Sequence, residues 1–413
     1  MQRDVIVVGA GVVGVSAALH LQARGRSVAL IDRLDRVAGE TSYGNTGIVQ
    51  SEAVYPYAFP RKFDEIVRAG LNLDPRAHIR YSALPFIAPF LLKYFRASAA
   101  DRRTQSASGL RALVARAVAE HTELAQLAAA GALLREGGWI KVFRTERGRD
   151  AGLREAEEVA PFGVPFQTLR REDLLKLEPH LGEAAIAGVH FTDPLTTPNP
   201  AALIESYAAL FLKRGGDFLR GDAKSLSQKG AHWRVDTEVG VVSARDAVLA
   251  LGPWTASWAH SLGYRFPFGV KRGYHMHYSP RGNAGLVRPV LDYERGYVVT
   301  PMEQGLRLTT GAEFARAEDA PSSAHLDRLE PFGREMFPLG ERNEPAPWLG
   351  RRPCLPDMLP VIGAAPRHKG LWFDFGHQHL GLTLGPISGR LLADLITGAE
   401  PIVDPRPYAA DRF

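Results

Sequence analysis

A single cysteine, Cys354, among 413 residues excludes an internal disulfide framework and fits a reducing compartment. No apolar run reaches the ~18 residues that a membrane-spanning helix requires. The apolar stretch near the amino end follows Arg3 and invites a signal-peptide reading, but His20 stops it short. It also keeps a strict glycine register and lacks a small-residue cleavage site, so the chain is expected to begin inside its first strand. Basic clusters interleaved with aromatics are missing. The net charge of +5 is the small difference between 50 basic and 45 acidic residues, so a nucleic-acid partner is not expected. Tandem repeats and low-complexity tracts are absent as well. What remains, 45% hydrophobic and 23% charged, is an ordinary globular composition, long enough for two domains.

The most informative stretch present is Val5 to Leu19, VIVVGAGVVGVSAAL. Gly9-x-Gly11-x-x-Gly14 follows an apolar β-branched run and precedes a helix-forming one. Such a strand–turn–helix holds a dinucleotide pyrophosphate: Gly9 permits the turn, Gly11 admits the phosphates, and Gly14 lets the helix pack close to the strand. A second strand, Ser27 to Ile31, ends in Asp32, where an acid accepts from an adenosine ribose hydroxyl. The loop Gly39 to Gly47, GETSYGNTG, offers small side chains and amides suited to a phosphate or a ring edge.

Further along, Phe86 to Ala130 reads as helical with a break near Ser98 to Ser108. Its apolar-then-basic start, with Lys93, Arg96, Arg102 and Arg103, could lie on an anionic membrane surface. A strand is expected at Trp139 to Arg144. Thr197-Pro198 reads as an N-cap with proline in the first turn, opening a helix Ala201 to Arg214. The strand that ends at Leu251-Gly252 suggests another close approach of backbone to the nucleotide. His275 and His277 share a strand face, yet no acidic or cysteine partner stands near them in sequence, so no metal is expected. Near the end, Leu371 to Phe375 reads as a strand, Gly376 to Gly381 as a turn and Leu384 to Ile396 as a helix. Its N-terminus would favour a developing negative charge.

Taken together, VIVVGAGVVGVSAALHL with LID32R, TSYGNTGIV, VLALGPW, GRRPCLPDMLPVIG and GHQHLGLTLGPISGRLLADLITG resemble the FAD-dependent D-amino-acid oxidase and dehydrogenase family over nearly the whole chain. Among its branches the chain looks most like the bacterial D-amino-acid dehydrogenases, D-hydroxyproline dehydrogenases included, with glycine and sarcosine oxidases as close relatives. The expected fold is α/β. A Rossmann-like FAD-binding domain would comprise residues 1–84, 192–266 and 345–413, and a discontinuous mixed-sheet substrate domain 85–191 and 267–344.

The resemblance implies FAD bound by Gly9, Gly11, Gly14, Asp32 and Arg33, with Thr41, Ser42, Thr46, Gly47 and Ile48 along the phosphates and flavin. Ala223 and Gly252 would add contacts, and His377, Gly381, Leu382 and Thr383 would line the pyrimidine end. Sarcosine oxidases attach flavin to a cysteine in the neighbourhood of Cys354, but with different spacing, so the FAD is expected to be non-covalent. Arg352 stands where relatives grip the substrate carboxylate, Tyr297 matches a strand tyrosine that reaches the substrate, and Tyr293 is a weaker candidate. His379 stands at a polar pocket position.

The implied reaction moves a hydride from Cα of a D-amino acid to flavin N5, giving an imine and then a 2-oxo acid. D-hydroxyproline or D-proline leads, because Gly385-Pro386 and His379 depart from the common pattern. The single dinucleotide fingerprint goes to FAD, which makes nicotinamide an unsuitable acceptor. A membrane quinone or other electron carrier is the expected partner, on a cytoplasmic protein peripheral to the inner membrane. Three alternatives stay open: an oxygen-using glycine- or sarcosine-type oxidase, an NAD-dependent dehydrogenase, and a flavin-holding subunit that docks partners.

Overall fold

The computed structural model describes residues 1–413. Two sheets organise it. In the first, Leu371–Phe375, Gly240–Leu249, Gln2–Val8, Val28–Asp32 and Asp217–Arg220 run parallel in that spatial order. The antiparallel strands Ser227–Lys229 and His232–Thr237 extend one edge, and Val361–Ala364 returns along Leu371–Phe375. Within the central strands, Val5 to Val8 and Val28 to Ile31 read as continuous apolar runs because helices and loops cover both faces there.

Helices Val12–Ala23, Ala100–Leu127, Pro200–Lys213 and Gly381–Thr397 pack together on this sheet and share its largest core. Close approach needs glycine on the last of them. A Cβ on Gly389 would stand 2.6 Å from the Ala17 nitrogen, and one on Gly385 would stand 2.8 Å from Val12 Cγ2.

The second sheet has eleven strands. Its spine is Gly269–Pro280, flanked by Gly305–Thr309 on one side and Trp348–Cys354 on the other, both antiparallel to it. Trp139–Phe143 joins it beside Val290–Asp292.

Several elements differ from the sequence reading. The helical break is confined to Ser98 and Ala99, between Leu84–Ala97 and Ala100–Leu127. The cap of Pro200–Lys213 is Asn199, whose side chain accepts from the Ala202 N–H at 3.0 Å. Thr197-Pro198 and Asn199-Pro200 repeat one cap–proline pattern, and the second pair takes the role. Residues 100–127, expected in the substrate domain, join the first core. Trp348–Cys354, expected in the FAD domain, belongs to the second sheet.

Candidate active site

The turn after the first strand is drawn tight by contacts that exclude side chains. Gly9 has φ of +109°, and a Cβ there would stand 2.4 Å from the Ala250 carbonyl oxygen. A Cβ on Gly14 would meet the Gly9 carbonyl oxygen at 1.8 Å, so the helix rides directly on the turn. Ser42 Oγ caps the helix start by accepting from the Val12 N–H at 3.1 Å. Asp32 accepts from the Ala10 N–H at 2.7 Å and the Leu34 N–H at 3.0 Å. Its carboxylate therefore braces the loop as well as bordering a large cavity. Arg33 pairs with Glu40 and lies 4.4 Å over the Trp254 ring.

From this turn a cavity of about 1390 Å3 extends to Tyr57 and His379, lined by residues of both sheets. An ordinary small-molecule pocket holds ~300–1,000 Å3, so this one has room for a dinucleotide with a substrate beside it. Gly9, Gly11, Asp32, Arg33, Thr41, Ser42, Thr46, Ile48, Ala223, Gly252, Arg352, His377, His379, Gly381 and Leu382 all border it.

Gly14, Gly47 and Thr383 do not border the cavity, and each supports something that does. Gly47, at φ +74°, turns the loop so that its carbonyl accepts from the Thr197 N–H at 2.7 Å. Thr383 Oγ1 accepts from the Gln50 N–H at 3.1 Å and donates to the Ile48 carbonyl at 3.3 Å.

Tyr297 departs from the expectation. It is fully buried in the core of the second sheet, and its hydroxyl donates to the Phe332 carbonyl at 2.8 Å. Strand alternation is the cause: Val298 takes the cavity side, so Tyr297 faces the other way. Tyr293 does border the cavity, with its hydroxyl donating to Glu155 at 2.7 Å.

At the expected pyrimidine end, helix Gly381–Thr397 starts at the cavity wall. First-turn N–H groups have no acceptor inside their own helix and carry partial positive charge. Behind them His121 bonds the Leu382 carbonyl at 2.7 Å and the Tyr207 hydroxyl at 3.1 Å, and burial keeps it neutral, with its pKa lowered to about 4. Asp374 and His377 also border the cavity. His377 Nε2 lies 3.3 Å from Asp374 Oδ1, the other Asp374 oxygen is buried without a hydrogen-bond partner, and burial pushes the Asp374 carboxyl up. Buried polar atoms are normally satisfied. These, with the glycine-cleared turn and the free helix end, fit a polar dinucleotide laid along the cavity.

The far end holds Arg352, whose fork donates to the carbonyls of Gly311 at 2.8 Å and Thr310 at 3.1 Å. Burial lowers its pKa, and no carboxylate neutralises it. His379 lies with its ring 4.6 Å from that of Tyr57. Burial, then Arg352 and Lys271, hold its pKa down to about 3. Tyr57 is 61% exposed, but into the cavity, so desolvation still pushes its hydroxyl up to about 12. Cys354 borders the cavity as a thiol that burial keeps protonated.

The sequence reading missed Tyr57 and Lys271. Lys271 was findable: the alternation that set His275 on one strand face puts Lys271 and Gly273 there too, and all three border the cavity. His275 itself stacks on Trp348 at 4.8 Å, while His277 is engaged by Glu344 and Arg307.

Comparison with known proteins agrees with this geometry. The profile of the family described as FAD dependent oxidoreductase matches residues 4–395. A D-amino-acid oxidase of Bradyrhizobium diazoefficiens is 31% identical, covering 100% of this chain and 99% of that protein. A D-amino acid dehydrogenase of Rhizobium rhizogenes is 28% identical, covering 99% of each. The crystal structure of glycine oxidase from Geobacillus kaustophilus superposes with a TM-score of 0.75 at 22% identity, over 100% of this chain and 99% of that one.

Proposed function

On the premise that this chain belongs to the FAD dependent oxidoreductase family and uses FAD, we propose that it oxidises a D-amino acid at its Cα–N bond. Arg352 carries the reading: a half-buried cation with no acid partner, anchored by two backbone carbonyls so that its other N–H groups can meet a substrate carboxylate. A fixed planar fork sets the carboxylate plane and hence the direction of the Cα–H. FAD supplies the acceptor for the hydride leaving Cα.

The residues around it do the rest. The first-turn N–H groups of helix Gly381–Thr397, at the cavity wall, would stabilise negative charge developing on a bound cofactor. His379, neutral and poorly basic, accepts a hydrogen bond but does not take up the substrate's ammonium proton. Arg352 and Lys271 instead acidify a bound ammonium by repulsion, so the amine loses its proton to water and becomes able to yield an imine. The imine then hydrolyses to the 2-oxo acid.

The D-hydroxyproline or D-proline lead narrows to His379, because Gly385 and Pro386 are buried within helix Gly381–Thr397, away from the cavity. A quinone as electron acceptor is supported by helix Leu84–Ala97, which exposes Phe86 and Leu92 beside Lys93 and Arg96. No helix is long and apolar enough to cross a membrane, so contact would be through this surface. The test is turnover of D-amino acids with a quinone analogue or dye against peroxide formation in air. Fast stoichiometric peroxide would place the chain with the oxygen-using oxidases.

A further inference from the structure

Strands Gly269–Pro280 and Trp348–Cys354 run antiparallel, and their register sets Lys271 directly opposite Arg352 and Arg272 directly opposite Arg351. Opposed residues share a face with Cβ atoms ~4.5–5.5 Å apart, where like charges repel. The fold treats the two pairs differently. On one face Arg272, fully buried, is neutralised by Glu313 at 2.8 Å. On the cavity face neither cation meets an acid. Arg352 ends on two carbonyls. Lys271 Nζ lies 3.9 Å over the Tyr94 ring and 4.0 Å from the Met358 sulfur. Of the other charged residues of the cavity wall, Asp74 holds Arg76 at 2.6 Å and Glu155 holds Lys141 at 2.9 Å, while Glu52, hydrogen-bonded to Gln50, has no cation partner and is pushed towards its neutral form by burial.

One carboxylate satisfies an arginine fork in two parallel bonds. That leaves the ammonium group of Lys271, with its N–H donors, bare on the same wall. We infer that the substrate supplies the second anion: the chain takes dicarboxylic D-amino acids, with the α-carboxylate on Arg352 and the side-chain carboxylate on Lys271. The inference rests on the reading of D-amino-acid oxidation above and replaces the cyclic imino acid lead within it.

The test uses the FAD-loaded full chain as wild type, Lys271→Met and Lys271→Arg. The kcat/KM values for D-aspartate and D-glutamate are compared with those for D-asparagine and D-alanine, and malonate and acetate binding is read from perturbation of the flavin spectrum. A charge-assisted contact predicts a preference of about 10- to 100-fold for the diacids. The preference collapses in Lys271→Met and returns in Lys271→Arg, and malonate affinity follows the same order. Equal use of D-aspartate and D-asparagine by wild type would overturn the inference, as would equal losses on D-aspartate and D-alanine in Lys271→Met. Oxidation of D-alanine with no diacid preference removes only this inference. Lys271-dependent malonate binding without oxidation of any D-amino acid removes the broader reading and the D-amino diacid substrate with it, leaving the two-cation anion site alone standing.

Discussion

Tyr57 and His379 lie with ring centroids 4.6 Å apart at the end of the cavity that Arg352 and Lys271 make electropositive. Burial and those cations keep His379 neutral down to about pH 3. Its proton affinity is therefore too low for it to act as a base near neutrality. The pH profile of kcat/KM should keep its ascending limb in His379→Asn. A limb near pH 6.5 that vanishes in the variant would assign the base to His379.

Arg352→Ala should raise KM steeply and cut kcat/KM about 100-fold or more, since the site loses the charged fork that pairs with the substrate carboxylate. Bound flavin, counted from the ratio of visible to protein absorbance, should stay at the wild-type level. Arg352→Lys should recover little, because a point charge cannot reproduce the fork. Wild-type kinetics in Arg352→Ala would remove it from the site.

Tyr297 and Tyr293 separate structure from chemistry. Tyr297→Phe forfeits the bond to the Phe332 carbonyl, a loss of about 1 kcal/mol measurable by denaturant titration, and should leave kcat/KM within a factor of about two. Tyr293→Phe alters the cavity wall and should change kinetics more than stability.

Gly14→Ala sets a Cβ 1.8 Å from the Gly9 carbonyl oxygen, and backbone cannot yield as a side chain can. The variant should lose most of its flavin on purification and melt several degrees lower. Full flavin content would mean that the turn is looser than described.

Lys271 adds a pH signature. Burial, with repulsion from Arg352, lowers its pKa to about 8. An anion binds the protonated form, so while malonate stays a dianion its affinity should be level just below that value and fall above it, with the bound ammonium titrating later. In Lys271→Arg the fall should disappear. A pH-independent affinity in wild type would contradict this.

The nucleotide half of the site was legible because its requirements are local. Gly9 and Gly14 act within one strand–turn–helix, and type and spacing state their packing role; Asp32 braces the same loop, a role its spacing alone did not state. The C-terminal strand, turn and helix were legible for the same reason. The substrate half depends on register and long-range packing, which a one-residue shift inverts. That is why Tyr297 was placed on the wrong face and Lys271 was passed over. Helix Ala100–Leu127 gave no sequence sign that it would pack on the distant helix Gly381–Thr397.

A flavin and a D-amino acid that meet at Arg352 must exchange electrons on anaerobic mixing. The expected result is a yellow holoprotein whose visible flavin band bleaches stoichiometrically with D-amino acids and persists with their L-enantiomers. A colourless protein that binds nicotinamide, or a flavin that no D-amino acid reduces, would contradict it.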